Sequence, residues 1–229
     1  HLMLGRELKR WLLKMALSTY EELKTSIADW AARDDLANKL DDFIKLTEAM
    51  INRPPSAPSS PRVGGVRLNK TSSTGTLTAG TDTLSLPSDY LEIGEFYITE
   101  SGDNKVLQYL APEQLQLFKR GGSGRPGFYT VTNVIELDVA PDSAYNYEFT
   151  YYPKVSALSA TNTTNTLLTD HPDVYLHGCL YQLAMYTRDE TGSVWLQNYK
   201  QAAWEATRAY ARGRAQRGPV YARVAGRTP

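Results

Sequence analysis

The spacing of apolar residues changes twice along this chain of 229 residues, and no other feature constrains its fold as strongly. From about residue 17 to residue 53, apolar residues recur every three or four positions, as in amphipathic helices. Residues 66–152 are rich in Thr, Leu, Ile and aromatic residues between turn residues, which favours short strands. Helical spacing returns over about 172–211. The sequence therefore predicts an α+β fold in which helices from both chain ends form a bundle around an inserted, small antiparallel β-domain.

The same changes predict where the parts of the chain begin and end. They are a helical bundle domain (15–53 and 153–212), an inserted β-domain (62–152) and an extended C-terminal arm (213–229). Residues 1–14 mix charged with apolar side chains and are too charged for the core of a signal peptide. We interpret them as a vector-derived segment or an upstream extension. The Pro- and Ser-rich stretch that follows residue 53 is predicted to be an extended linker.

Helix boundaries in the two helical parts follow from local signals. Ser18, followed three residues later by Glu21, is typical of a capping box at a helix start. A second helix is expected over about 35–52 and a last one over about 193–211, both with apolar residues on one face.

Turn signals divide the β-region. The sequence "SGDNK" (101–105) predicts a hairpin turn, because Gly and Asn tolerate positive φ. Pro112 is expected in the first turn of a short helix. The glycine-rich stretch "GGSGRPG" (121–127) follows that helix and does not open one, so we expect a mobile loop and no phosphate site.

Composition and motifs exclude several classes of function. Lys+Arg and Asp+Glu are both 25, so the molecule as a whole presents no field that would attract DNA or an anionic membrane. No apolar run is long enough to span a membrane, and one cysteine cannot form an intrachain disulfide. Nucleotide-binding, nucleophile-elbow and zinc-protease motifs are absent. We therefore expect no catalytic residue, no cofactor and no metal.

The stretch "TDHPDVYLHGCL" (169–180) resembles a reactive cluster but is better explained as a helix start. Pro172 suits the first turn of a helix that runs to about Arg188, and Asp170 or His171 is expected to cap it. The two histidines of the stretch point to different sides of that helix, so they cannot chelate one ion together. The sequence therefore indicates structure here and not a metal site.

Two faces of this helix have different expected roles. Cys179 lies on the apolar stripe, where a free cysteine behaves as a small hydrophobic residue. Asp173, His177 and Tyr181 share another face at four-residue spacing. We expect that face to be a hydrogen-bonded row that meets a neighbouring helix or a second subunit.

The C-terminus is strongly basic, and no acidic residue follows Glu205. Its basic and aromatic residues are Arg208, Tyr210, Arg212, Arg214, Arg217, Tyr221, Arg223 and Arg227. Three interpretations compete: nucleic-acid binding, docking on an acidic protein partner, and a solvated end. Gly and Pro argue against a helix, and residues 213–229 could extend about 55 Å at about 3.3 Å per residue. We favour an arm that docks on protein.

Several stretches in order resemble one family. They are "STYEELKTSIADWAARDDL", "DDFIKLTEAMINR", "LSLPSDYLEI", "YNYEFTYYPKVSALSATNTTNTLL", and "HPDVYLHGCLYQLAMYTRD" followed by "WLQNYKQAAWEA". Together they resemble the head-to-tail adaptor (connector) proteins of short-tailed bacteriophages. The resemblance extends from Met15 to about Arg212.

The resemblance implies a virion structural protein, located in the neck between portal and tail and in the host cytoplasm during assembly. Such proteins form a homododecameric ring below the portal protein, extend the DNA channel, and carry a tail nozzle or fibre protein. The resemblance leaves open whether the free protein is a monomer or an oligomer. It implies that the protein contacts DNA only when the genome passes through the channel. Carried onto this chain, the candidates for portal contact are Arg212, Arg214, Arg217, Tyr221, Arg223 and Arg227.

An alternative function is a tail-associated carbohydrate-binding module or a cell-surface hydrolase. Phe96, Tyr97, Phe128 and Tyr129 would then supply stacking platforms, although strand alternation predicts that half of them are buried. A hydrolase would also need an acidic pair, such as Glu92 with Glu95 or Glu100 with Asp103. The spacing of these acids does not distinguish them from solvated surface residues.

Overall fold

The computed structural model describes residues 17–33, 35–100 and 102–215, with side chains described as far as residue 212. Within these residues the chain contains six α-helices, one 3-10 helix and eight strands in two sheets. The predicted α+β class is therefore confirmed.

The helices and strands follow one another in three groups. The helices are α1 (Tyr20–Ala31), α2 (Leu40–Ile51), α3 (Pro112–Phe118), α4 (Thr166–Asp170), α5 (Pro172–Thr187) and α6 (Gly192–Ala215), with the 3-10 helix at Ala37–Lys39. The strands are β1 (Thr71–Thr76), β2 (Thr83–Ser85), β3 (Tyr90–Glu100), β4 (Asp103–Val106), β5 (Gln108–Tyr109), β6 (Phe128–Val131), β7 (Val134–Leu137) and β8 (Asn146–Pro153). All eight strands thus lie between the second helix and the fourth.

Each sheet has four strands. The first has the order β1-β8-β3-β4 and is antiparallel throughout. The second has the order β2-β7-β6-β5, and its β5–β6 pair is parallel, which departs from the predicted antiparallel β-domain. The parallel pair arises because α3 lies between β5 and β6 and returns the chain to the same end of the sheet.

The two sheets share one aromatic core. Phe96 and Phe149 are fully buried, their ring centroids lie 5.7 Å apart, and Tyr129 meets Phe96 edge-on at 5.1 Å. Such edge-on pairs are favourable beyond the area that they bury. At the turn from β3 to β4, Glu100 pairs directly with Asp103 and Gly102 has a φ of 88°, so the predicted hairpin is confirmed.

Helices from both ends of the described chain pack into a second core. Helix α5 contacts α1, α2, α4 and α6, and its Cys179 is fully buried, as its position on the apolar stripe predicted. Gly178 allows the close approach of α2, because a Cβ at this position would come within 2.4 Å of Thr47 Cγ2. Tyr175 and Tyr199 are the largest fully buried side chains of this core.

The capping box at the start of α1 lies one residue later than predicted. Thr19, and not Ser18, is the N-cap residue, and the reciprocal carboxylate belongs to Glu22, and not to Glu21. Glu22 Oε2 accepts from the N–H of Thr19 at 3.0 Å and from the hydroxyl of Ser18 at 2.8 Å. Ser18 therefore contributes to the cap from the preceding position.

His171 is the N-cap residue of α5, as predicted, but its side chain makes no capping hydrogen bond. Asp170 ends the short helix α4, and its carboxylate accepts from Tyr210 Oη at 2.9 Å, so it is engaged elsewhere. His171 joins the two helices without a side-chain cap, and its ring meets Tyr210 edge-on. Pro172 at the first turn of α5 is confirmed.

The Pro-rich segment is a closed loop and not an extended linker. The N–H of Val66 donates to the carbonyl of Ile51 at 2.8 Å, so the chain returns to the end of α2. Gly65 permits this return, because a Cβ there would lie 2.2 Å from the carbonyl oxygen of Ile51. Lys200 Nζ on α6 donates to the carbonyl of Ser60 at 2.9 Å and holds the loop at its middle.

Helix α6 continues past the predicted start of the arm. It includes Gly213, Arg214 and Ala215, whereas the sequence predicted an extended chain from residue 213. A single Gly costs a helix only about 1 kcal/mol relative to Ala, and its neighbours are good helix formers. Residues 216–229 of the predicted arm lie outside the described residues, as do residues 1–14.

Candidate functional site

The described residues include neither a cluster of metal-ligating side chains nor a helix suited to span a membrane. Among them, no three His, Cys, Asp or Glu side chains are placed so that they could hold a metal ion. No helix in the described part of the chain has the length and apolarity needed to cross a membrane. Burial raises the pKa of the Cys179 thiol to about 12, so this thiol is neutral at physiological pH.

The face of α5 that carries Asp173, His177 and Tyr181 is only partly exposed to solvent. Asp173 is exposed, whereas His177 is half-buried and its ring stacks on Trp195 of α6 with centroids 6.0 Å apart. Within the described part of the chain, His177 Nδ1 has no hydrogen-bond partner. Burial lowers the pKa of His177, and the Asp173 carboxylate opposes that effect. Tyr181 packs partly buried against the helical core, so this face already meets a helix.

Some of the basic C-terminal residues belong to the described part of α6, and the others lie outside the described residues. Arg208 and Arg212 are exposed on one face of α6, beside Glu205 and a shallow groove of about 320 Å³. Arg214 belongs to the last turn of α6. Beyond it, Arg217, Tyr221, Arg223 and Arg227 lie outside the described residues.

A buried arginine joins the helical core to the first sheet. Arg67 Nη1 donates to the carbonyl of Arg53 at 2.8 Å, and Arg67 Nε donates to Glu92 Oε2 at 3.0 Å. The Arg67 N–H also donates to Thr207 Oγ1 of α6 at 3.4 Å. Sequence reasoning missed this residue, because its only signal is one basic side chain between Val66 and Leu68.

The glycine-rich loop 121–127 is held in place and does not match the predicted mobile loop. Asp138 is fully buried, and its Oδ1 accepts from the N–H groups of Gly127 and Phe128 at 2.9 Å and 3.0 Å. Its Oδ2 accepts from Arg120 Nη2 at 2.7 Å. Arg120 also donates to the carbonyl of Arg125. Asp138, which directly follows β7, therefore holds both ends of the loop.

A groove opens beside this loop, and we name it the Phe118 groove. It has a volume of about 720 Å³ and lies between the end of α3, the loop and the start of β6. Its lining residues are Leu117, Phe118, Lys119, Arg120, Arg125, Gly127 and Phe128. Leu117 and Phe118 are 84% and 49% exposed, so two large apolar side chains at this groove lie open to solvent.

Most of the residues that a carbohydrate-binding or hydrolase function would need are buried or ion-paired. Phe96 and Tyr129 are buried, as strand alternation predicted, and only Tyr97 and Phe128 remain partly exposed. In the first candidate acid pair, the carboxylate of Glu92 is ion-paired with Arg67 at 3.0 Å.

Both carboxylates of the second candidate acid pair are also ion-paired. Glu100 Oε2 accepts from Arg125 Nη1 at 2.9 Å, and Asp103 lies 3.6 Å from Lys105 Nζ. These contacts leave the hydrolase alternative without an isolated pair of carboxylates among the four residues proposed for it.

Comparison with known proteins agrees with the adaptor resemblance. No curated protein matches the chain. The model of the SU10 adaptor protein family matches residues 18–225, which includes both helical parts and all of the β-region. The resemblance to phage head-to-tail adaptors is thereby confirmed. A match over this much of the chain shows that the protein belongs to the SU10 adaptor protein family.

Proposed function

We propose that this protein is the head-to-tail adaptor of a phage virion. In this proposal twelve copies dock as a ring on the portal protein, extend the DNA channel, and form the platform for a tail nozzle or fibre protein. The observation that carries the proposal is the family match over residues 18–225. The role is structural, without catalysis, cofactor or membrane, and DNA is met only as it passes through the channel.

The C-terminal segment is the proposed portal-binding part. Helix α6 is anchored to the rest of the molecule at Lys200, Thr207 and Tyr210, so its last turn is a fixed starting point for the residues after Ala215. The proposed contacts are Arg212, Arg214, Arg217, Tyr221, Arg223 and Arg227. Arginine and tyrosine suit this role, because both are enriched among residues that dominate binding energy at interfaces.

Other surfaces are proposed to contact ring neighbours and the tail. The exposed carboxylate of Asp173, with His177 and Tyr181 behind it, is a candidate contact between subunits. The β-region (62–152) is assigned to the tail side and the helical parts (15–53 and 153–212) to the portal side. Equal numbers of acidic and basic residues support close packing of identical copies, since a large net charge would repel them.

Mixing the protein with its cognate portal tests the proposal. We expect ring-on-ring particles in negative-stain electron microscopy, and a solution mass that rises by a ring of copies only when portal is present. The virion neck should contain the protein, and the host cytoplasm should contain it before assembly. A protein that never associates with portal would refute the adaptor role.

Truncation after Ala215 tests the arm separately. This cut keeps all of α6 that the structure describes, so the thermal unfolding midpoint should match that of the full chain. Portal binding should be lost, because the Arg- and Tyr-bearing segment is gone. A truncated chain that still forms the complex would rule out residues 216–229 as the portal-binding part.

A further inference from the structure

The first sheet ends in two strands whose outer edges are open. Among the residues that the structure describes, β1 pairs with β8 alone and β4 pairs with β3 alone. Every residue of β4 is exposed, and so is every residue of β1 except Ser73. Thr76 Oγ1 donates to Asn146 Oδ1 on β8 at 2.9 Å. Thr99 Oγ1 on β3 donates to Asn104 Oδ1 at 2.9 Å. Both end strands are therefore tied to the sheet on one side and open on the other.

Alternate residues of β1 direct their backbone groups away from the sheet. The N–H of Leu77 donates to the carbonyl of Tyr145 at 2.8 Å and continues the register of β1 with β8. Because bonded and unbonded pairs alternate along an antiparallel ladder, the odd-numbered residues of β1 are hydrogen-bonded to β8. The N–H and C=O groups of Ser72, Thr74 and Thr76 therefore point to the open edge.

The same alternation applies to β4 at the other end of the sheet. The N–H of Leu107 donates to the carbonyl of Phe96 at 2.8 Å and continues the register of β4 with β3. The N–H and C=O groups of Asn104 and Val106 therefore point to the open edge. Each edge thus presents a donor and an acceptor at every second residue, which is a repeat of about 6.8 Å.

The edge of β1 lacks the features with which natural proteins protect an end strand. Its sequence, "TSSTGT", contains no charged residue and no proline, and its register with β8 contains no bulge. On β4, Asp103 and Lys105 lie 3.6 Å apart, so their charges offset each other. The end strands of the second sheet have only three and two residues, which is too short for stable pairing. The first sheet is therefore the one suited to further strand pairing.

We propose that β1 of one copy pairs with β4 of the next copy, so that the first sheet continues from subunit to subunit. Strand direction selects this occupant. Four antiparallel strands leave the two end strands running in opposite directions, so copies repeated around an axis along the strands place β4 antiparallel to the next β1. The contact uses a different surface on each copy, as ring closure requires. The inference rests on the proposed function in one respect, since the ring is taken from the adaptor role.

Pairs of introduced cysteines test the pairing in the full-length chain. Two registers place both outward residues of β4 opposite outward residues of β1, and in these registers Thr74 faces Asn104 or Val106. The double variants are therefore Thr74→Cys with Asn104→Cys, and Thr74→Cys with Val106→Cys. Within one copy the two strands are about 14 Å apart, whereas a disulfide needs Cα atoms within about 7 Å. Cys179 is fully buried, so the native thiol does not contribute.

Mild oxidation should give one of the two double variants a ladder of covalent multimers beyond the dimer on a non-reducing gel. The chain is oxidised alone at high concentration and after mixing with portal. Thr83→Cys with Gln108→Cys, on the end strands of the second sheet, is the control and should stay monomeric. Thr74→Cys alone should also stay monomeric, because its partner lies on β4. Covalent dimers of that single variant would indicate pairing of β1 with β1 and would overturn the inference.

Proline at the remaining outward residue of β4 tests the backbone contact. In the variant that cross-links, this change is Val106→Pro beside Cys at 104, or Asn104→Pro beside Cys at 106. Proline there removes an N–H that faces the open edge and keeps the hydrogen bonds to β3, so the cross-linked fraction should fall at least about fivefold. Threonine at the same position keeps the N–H and should leave the fraction unchanged. Thermal unfolding midpoints verify that both variants fold.

The outcomes separate edge pairing from the adaptor role. No ladder from either double variant under either condition, or equal cross-linking of the proline and threonine variants, would overturn edge pairing. A ladder from the chain alone, without any binding to portal, would refute the adaptor role and leave edge pairing standing. Rings on portal without a ladder would support the adaptor role and overturn edge pairing.

Discussion

Glu48 Oε1 accepts a hydrogen bond from the N–H of Leu158 at 2.7 Å, across 110 positions of sequence. Glu48 lies on α2 and is only 6% exposed. The hydroxyl of Tyr175 also reaches Glu48 Oε1, at 3.5 Å, and Asn52 Oδ1 accepts from the N–H of Val155 at 3.0 Å. Side chains at the end of α2 therefore fix the segment that leaves β8, and these contacts determine where the chain re-enters the helical core.

Replacing Glu48 by Gln tests the cost of burying this carboxylate. Burial raises the pKa of Glu48, so the folded state binds its proton more tightly than the unfolded state does. Its contribution to stability is complete below the unfolded pKa of about 4.3 and is lost as pH rises through the folded pKa. In urea unfolding, the free energy of unfolding of Glu48→Gln relative to the wild type should rise as the pH increases from about 4.5 to about 8. A constant difference over that range would contradict the interpretation.

Replacing Arg67 by Ala should destabilise the protein by about 2–4 kcal/mol, because buried acceptors lose a charged donor. The relevant acceptor is the carbonyl of Arg53, while the Glu92 side chain is 55% exposed. Glu92→Gln removes only that exposed partner and should cost less than about 1 kcal/mol. Denaturant unfolding of both variants distinguishes the two contributions. Equal losses would mean that the ion pair, and not the carbonyl contact, stabilises the junction.

Gly178→Ala should also destabilise, by about 1–3 kcal/mol, because the new Cβ overlaps the side chain of Thr47. The overlapping atom is Thr47 Cγ2, so Thr47→Ser should recover most of the loss in the double variant. Gly121→Ala is the control, since nothing lies within 4 Å of a Cβ at that position. Thermal unfolding of these variants and the wild type completes the comparison, and a loss that Thr47→Ser does not relieve would contradict the packing argument.

Sequence reasoning succeeded where a single residue or one spacing determines the local structure. Pro112 and Pro172 mark helix starts because a first-turn residue needs no N–H partner. Gly102 marks the hairpin because it adopts positive φ without strain. Cys179 is buried because of its place on the apolar stripe of α5. Each of these features can be predicted from a residue and its near neighbours in the sequence.

The missed features depend on contacts between distant segments. The Pro-rich segment closes into a loop because Gly65 packs against the carbonyl of Ile51 and Lys200 reaches Ser60. Composition alone cannot distinguish this loop from an extended linker. The Phe118 groove was missed for a related reason. A helix as short as α3 gives no reliable period, so the exposure of Leu117 is fixed only by the surrounding strands.

The start of α1 offers a last test, because adjacent residues compete for the same capping role. Hydrogen bonds from Ser18 and Thr19 lower the pKa of Glu22, whereas Glu21 takes no part in the cap. Glu22→Ala should therefore cost about 1 kcal/mol at pH 7, and Glu21→Ala much less. Because the pKa is lowered on folding, the contribution of Glu22 is present above about pH 4.3 and is lost as pH falls through the folded pKa. Chemical unfolding of the two variants at about pH 7 and about pH 3 should show the difference between them shrink at the lower pH. A larger loss for Glu21→Ala would restore the capping box that the sequence first predicted.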